Sequence, residues 1–92
     1  MIEEKEEFFN EIKLIQDLAI NIVLSNIEKY NSSEDVLKDA TYETIYRMME
    51  LIDGYRNKNI KYNICNVNSG RSVNENIELH DLCEEYLQCT DI

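Results

Sequence analysis

Over the first thirty residues, apolar side chains recur at spacings of three and four. This period places them on one face of an α-helix, which we predict over about residues 3–30. Three further leucines, Leu14, Leu18 and Leu24, fall outside that face and give the helix a second apolar surface. The main apolar face consists of Phe8, Phe9, Ile12, Ile15, Ala19, Ile22, Val23, Ile27 and Tyr30.

A capping signal separates this helix from a second one. Ser32 is followed three residues later by Asp35, and a serine before an apolar run commonly accepts a hydrogen bond from the first turn of a helix. Gly54 stands where the left-handed residue after a helix is expected. We therefore predict a second helix over about 34–53, paired with the first as a helical hairpin. Its inward residues should be Leu37, Ala40, Thr44, Met48, Leu51, Ile52 and Tyr55.

The period of the pattern changes to two after the second helix. Residues 60–67 alternate apolar and polar side chains, which is typical of a β-strand. Residues 68–70 are turn formers, so residues 71–73 can return as the second arm. This pattern predicts a short β-hairpin over about 60–73.

A second capping signal follows the hairpin. Ser72 and Glu75 have the spacing of a capping box, which predicts a C-terminal helix over about 74–89. The inward face of that helix would carry Leu79, Leu82, Cys83, Tyr86 and Leu87. The predicted fold class is mainly α with a minor β-hairpin, in one small domain of residues 1–92.

The net charge of the chain limits the classes of partner that it can bind. Nineteen acidic and nine basic residues give a net charge of −10, the wrong sign for binding phosphates, so we expect no direct nucleic-acid binding. An anionic membrane surface would repel the chain, and no apolar run approaches the ~20 residues of a membrane span. The N-terminus is acidic, unlike a secretory signal, and three cysteines make no disulfide framework. We therefore expect a cytoplasmic protein with no membrane role.

Residues for catalysis or metal binding are sparse. His80 is the only histidine, and no known catalytic or nucleotide-binding motif occurs, so we expect no enzyme and no cofactor. Zinc could draw on His80, Cys83 and Cys89, since the first two can share one helical face. Cys89 lies six residues beyond Cys83, outside the tight ligand pairs of structural zinc sites. We therefore expect no metal, and buried packing roles for these residues.

The most suggestive residues are two tyrosines on the polar face of the second helix. Tyr42 and Tyr46 lie four residues apart, among the carboxylates of Asp35, Asp39, Glu43, Glu50 and Asp53. Aromatic rings supply rigid contact area and cation–π faces, while carboxylates steer and pair with basic groups. The two tyrosines together with Asp39, Glu43 and Glu50 are a candidate site for a basic protein. In the alternative interpretation, both rings pack beneath the C-terminal helix or the hairpin.

Two functional hypotheses follow from the sequence. In the first, the chain is a non-enzymatic interaction module that binds and inhibits a basic partner, as an immunity protein, an antitoxin or a phage-encoded inhibitor would. In the second, it is a small structural or regulatory subunit that forms a homodimer. The dimer would use the second apolar surface of the first helix, at Leu14, Leu18 and Leu24.

Overall fold

The computed structural model describes residues 3–90. The predicted domain spans residues 1–92, so both of its bounds lie outside the described residues. Its helices, in chain order, are α1 (Glu4–Ser25), a 3-10 helix (Ile27–Lys29), α2 (Ser33–Asp53), a second 3-10 helix (Leu79–Leu82) and α3 (Cys83–Tyr86). The mainly helical class is thus confirmed. No helix in this part of the chain has the length and apolar character needed to cross a membrane.

The core is small and lies where α1 packs against α2. Ile15, Ala19 and Val23 recur every four residues on α1 and are buried, as the period predicted. Ile15 and Leu51 are fully buried and join Ile60, from the loop after α2, in one cluster. Around this cluster pack the partly buried side chains of Phe8, Ile12, Met48 and Tyr62.

Five residues expected to face inward are exposed instead, and the most exposed of them is Tyr86, at 75%. Phe9 lies about 120° around α1 from Ile15, at the margin of the buried face. Ile27 lies beyond the end of α1, which stops at Ser25 and not near residue 30 as predicted, and it begins a 3-10 helix. Leu37 and Tyr55 are 63% and 61% exposed. Tyr55 lies beyond the end of α2, where helical periodicity no longer sets its direction.

Both predicted boundaries of α2 are confirmed. Ser32 is the N-terminal cap, and its hydroxyl oxygen accepts a hydrogen bond from the Asp35 amide at 3.2 Å. Gly54 follows the helix with φ of +91°, in the left-handed region that only glycine enters freely. A Cβ atom at this position would also lie 3.3 Å from the Cβ of Lys61, so the chain can turn closely here.

The predicted β-hairpin over 60–73 is wrong as a pair of strands. Among residues 3–90 this region has a single antiparallel bridge, between Cys65 and Ser72, and no strand. Two ladder hydrogen bonds flank this bridge, from the Asn66 amide to the Arg71 carbonyl and from the Val73 amide to the Ile64 carbonyl. The backbone groups that would extend the ladder are bound elsewhere. The Tyr62 amide donates to the Ile52 carbonyl at 2.9 Å, and the Asn74 side chain binds both the Tyr62 carbonyl and the Ile64 amide.

The predicted C-terminal helix over 74–89 is also wrong in extent. Asn76 has φ of +61°, a left-handed conformation that interrupts a right-handed helix. Ser72 does not form the capping box, because its hydroxyl donates to the Asn63 side chain and accepts from the Asn74 amide. Helical structure begins only at Leu79 and ends at Tyr86.

The C-terminal segment, which we define as residues 79–90, runs back along α2. Its first end is held at Asp53, the last residue of α2, by the backbone amides of Leu79 and His80. Near its other end, the Thr90 hydroxyl donates to the carbonyl of Asp35, in the first turn of α2, at 2.9 Å. The segment is therefore tied to both ends of one helix.

Ile15→Ala should lower the free energy of unfolding by about 2–5 kcal/mol, because it removes a fully buried side chain from a small core. Leu14→Ala is the matched control: the neighbouring leucine is 56% exposed, so its truncation should change stability by no more than about 0.5 kcal/mol. Denaturant unfolding of both variants measures the difference. Equal effects would show that the register of α1 is wrong.

Candidate functional site

The predicted acidic and aromatic face lies on α2, where all five of its residues are half-buried. Tyr42 and Tyr46 stack with ring centroids 6.0 Å apart and an angle of 20° between their planes. Tyr46 also meets the ring of His80 edge-on at 5.9 Å, so it contacts the C-terminal segment. The two rings thus form one unit, with one side against the rest of the protein.

The three carboxylates of this face already have intramolecular partners. Asp39 accepts a hydrogen bond from the Tyr30 hydroxyl. Burial, this hydrogen bond and the nearby charges of Asp39 and Glu43 raise the pKa of Tyr30 to about 12, which keeps the hydroxyl a donor. Glu43 and Glu50 lie 3.3 and 3.2 Å from the guanidinium of Arg47. This part of α2 is therefore less negative toward solvent than its sequence suggests, and its role in partner binding stays a prediction.

An open groove runs between α2 and the C-terminal segment. It consists of two depressions, of about 460 and 310 Å³, that share Ile45, Tyr86 and Leu87. We call it the α2 groove. The remaining lining residues are Glu34, Leu37, Lys38, Thr41, Tyr42 and Gln88 in the first depression, and Met49, Val73, Ile77, Leu79, Leu82 and Cys83 in the second. Most of this lining is apolar, and Tyr42 is the one predicted site residue within it.

The strongest polar cluster lies at the end of α2, around the buried carboxylate of Asp53. Its oxygens accept hydrogen bonds from the amides of Leu79 at 3.0 Å and His80 at 2.8 Å. The imidazole Nδ1 of His80 lies 2.6 Å from the same carboxylate, to which we assign it as donor, because an ionised carboxylate only accepts. A carboxylate at the negative end of a helix is unfavourable, and these three bonds offset that cost.

The imidazole of His80 lies between two carboxylates and two aromatic rings. Its Nε2 is 3.3 Å from Asp81, and the ring of Tyr55 meets it at 4.6 Å between centroids. Burial lowers the pKa of His80. The hydrogen bond to Asp53 and the charges of Asp81, Asp53 and Glu50 together outweigh burial, so the pKa is raised above its ordinary value. Protonated His80 would bridge Asp53 and Asp81.

This cluster lacks the geometry of a catalytic site. Cys83 is buried and its sulfur faces the Leu79 carbonyl at 3.8 Å. Burial and the charge of Asp53 raise the pKa of the Cys83 thiol, which disfavours the reactive thiolate. The nitrogens of His80 are both directed at carboxylates, which leaves neither as a free base toward a nucleophile.

The sequence's zinc candidates are not brought together. Cys83 is buried and Cys89 is exposed. Within residues 3–90, the side chains close enough to share a cation are instead Asp53, Glu78 and His80, with candidate ligand atoms within 4.8 Å of one another. Asp53 and His80 are hydrogen-bonded to each other there, so their geometry is explained without an ion. The expectation of no metal stays a prediction.

The leucines proposed for self-association do not form one patch. Leu14 and Leu24 are 56% and 58% exposed, while Leu18 is half-buried. Leu14 and Leu24 lie about 80° apart around α1, and Leu24 is on the side of exposed Ile20. A partner helix could therefore cover one side of α1, but not all three leucines equally.

Comparison with family models, with curated proteins and with solved structures gives no match for this chain. The function must therefore be argued from the geometry alone.

The free energy of unfolding should depend on pH through His80. Because the folded-state pKa is raised, protonated His80 contributes stability fully below the unfolded-state pKa of about 6.5, and this contribution is lost as pH rises through the folded-state value. The slope from one proton cannot exceed about 1.4 kcal/mol per pH unit. Urea unfolding between about pH 6 and 9 measures it.

Two variants separate His80 from the other titrating groups. His80→Asn keeps a neutral donor near Asp53 and should remove this part of the pH dependence. Asp53→Asn should reduce it, because the hydrogen bond to a carboxylate is lost while the charges of Asp81 and Glu50 still act on His80. It should also destabilise the protein by about 3–5 kcal/mol, because one acceptor oxygen remains for three donors. If both variants keep the wild-type slope, His80 is not the titrating group.

Proposed function

We propose that this chain is a non-enzymatic protein-interaction module that binds and inhibits a basic partner protein. The observation that carries the proposal is the α2 groove, an apolar depression open to solvent in a protein of net charge −10. Exposed apolar surface on a small protein commonly marks an interaction site, and the charge selects the sign of the partner.

Exposure of the apolar residues in the groove supports this proposal. Tyr86 is 75% exposed and Leu37 is 63% exposed, on opposite walls. The exposed acids Glu84 and Glu85 precede Tyr86 in the chain, so the segment that carries this ring is acidic. Tyrosine surrounded by acids is a suitable anchor for a partner rich in lysine and arginine.

The predicted site on α2 enters this proposal through Tyr42, which lines the groove. We assign Tyr42 a direct contact with the partner. Asp39, Glu43 and Glu50 would contribute mainly through the field they set up, because each is paired within the protein. Tyr46 would hold the Tyr42 ring in place by stacking. A cytoplasmic location belongs to the same proposal, and the three free cysteines favour it.

The Asp53 and His80 cluster supports a structural role in preference to catalysis. Its hydrogen bonds hold the C-terminal segment on α2, and that segment forms one wall of the groove. The cluster would therefore maintain the binding surface.

Tyr42→Ala should weaken the complex by about 1–3 kcal/mol, chiefly through faster dissociation, because it removes a ring from the groove. The partner is to be isolated from extracts of the source organism, identified, and bound again as a purified protein. Its affinity should fall with added salt, as expected for opposite charges. Tyr62→Phe, which alters a ring packed on the core away from the groove, serves as the control.

The free energy of unfolding of the Tyr42→Ala variant, measured without the partner, shows whether the ring acts in binding or in folding. If Tyr42→Ala lowers the stability of the free protein as much as it weakens the complex, the ring acts as a core residue. A purified partner that is acidic, or whose affinity does not change with salt, would contradict the proposed function.

A homodimer remains a second candidate function, favoured by the exposed side of α1 at Ile20 and Leu24. In that case sedimentation should show mass increasing with concentration, and Leu24→Glu should return the protein to monomer. Leu14→Glu is the control, because Leu14 lies about 80° away around the helix. A monomer at all concentrations would remove this candidate.

A further inference from the structure

We propose that the partner of this protein presents a basic amphipathic α-helix, about four turns long, which lies lengthwise in the α2 groove. The inference rests on the proposed function and makes its partner specific. It follows from the length of the groove, the kind of surface on its walls and the sign of the charge at its rim.

The groove follows one face of α2 for most of the length of the helix. Its lining residues on α2 recur at spacings of three and four, and 15 residue steps at 1.5 Å each give a length of about 22 Å. An α-helix of about 15 residues has the same length. These lining residues of α2 are Glu34, Leu37, Lys38, Thr41, Tyr42, Ile45 and Met49.

The opposite wall is also made of side chains. The C-terminal segment contributes Leu82, Tyr86 and Leu87, and the loop before it contributes Val73 and Ile77. Val73 and Ile77 are 50% and 46% exposed, so the apolar surface continues to the far end of the groove. A ligand that fills the groove must therefore present apolar groups along its whole length.

The walls favour a helix over an extended peptide. An extended peptide commonly binds by adding to the edge of a sheet, where backbone groups are free to pair. Residues 3–90 contain no strand, so the groove offers side chains in place of such an edge. A helix satisfies its own backbone hydrogen bonds and can bury an apolar face between two walls.

The charge at the rim favours a basic helix. Lys38 is the one cationic residue in the described lining, and it lies 3.6 Å from the Glu34 carboxylate, which offsets its charge. Burial is the largest cause of the raised pKa of the Tyr42 hydroxyl, and the nearby charge of Glu84, an exposed acid in α3, also raises it. Lysine or arginine flanking the apolar face of a bound helix would meet these carboxylates.

The test uses three synthetic peptides of about 16 residues, the length that matches the groove. The first has leucines at helical spacing of three and four and lysines elsewhere. The second has the same composition with the leucines distributed around the helix, and the third has glutamate in place of lysine. Fluorescence anisotropy should give tight binding for the first, at least about tenfold weaker binding for the second, and none for the third.

Neutral variants locate the binding. Leu37→Ser and Tyr86→Ser, on opposite walls of the groove, should each weaken binding of the first peptide about tenfold. Leu14→Ser is the matched control, since Leu14 is similarly exposed but lies on α1, outside the groove. All three substitutions leave the charge unchanged, so electrostatic attraction is the same. Circular dichroism should show the first peptide becoming helical on binding.

The outcomes separate this inference from the proposed function. If the first two peptides bind equally and the groove variants have no effect, the attraction is only electrostatic. The proposed helix in the groove is then wrong, while the proposal of a basic partner is retained. If neither basic peptide binds, and no basic protein from the source organism binds either, the proposed function fails with it. If the free protein is a dimer that Tyr86→Ser dissociates, a second copy occupies the groove and the partner helix is excluded.

Discussion

The buried carboxylate of Asp53 holds the described part of the chain that follows α2 in its place. It ends α2, where the helix dipole disfavours a negative charge, and its side chain is 1% exposed. Such a group is tolerated only when its acceptors are satisfied. The amides of Leu79 and His80 and the imidazole of His80 satisfy them, and this requirement fixes where the C-terminal segment begins.

The consequences extend to the groove. The 3-10 helix from Leu79 has no side-chain cap of its own, so Asp53 takes the place of one from 26 residues away in sequence. Once the segment is held there, its apolar residues lie alongside α2 and make the second wall. The loop after α2 is also held at this end of the helix. The Ile52 carbonyl accepts a hydrogen bond from the Tyr62 amide, and the chain turns at Gly54. A small core is thus supplemented by polar contacts concentrated at one helix end.

Local signals in the sequence were sufficient for the presence of the two long helices and for the boundaries of α2, but not for the end of α1 at Ser25. They were insufficient after Gly54, because side chains there bind backbone groups far away in sequence. Asn74 takes two backbone groups that would extend a hairpin, and Asp53 takes the amides that open the C-terminal helix. Periodicity contains no information about such bonds. The sequence placed Asp53 on the polar face of α2 and showed a lone His80, but nothing in it paired the two, and Asp53 is buried instead.

The arrangement of the candidate site could likewise be predicted only in part. Helical spacing correctly placed Tyr42 and Tyr46 side by side, because they lie on one helix. The pairing of Asp39 with Tyr30 depends on the turn between α1 and α2, which no pattern specified. The groove requires the C-terminal segment to return along α2, so it could not be seen before the position of that segment was known.

Native-state hydrogen exchange at the amides of Leu79 and His80 tests the role of Asp53 most directly. Both amides donate to a buried carboxylate, so we expect them to exchange much more slowly than an unstructured chain, and to lose that protection in Asp53→Asn. Exchange in the wild-type protein at the rate of an unstructured chain would contradict the anchoring of the C-terminal segment at Asp53.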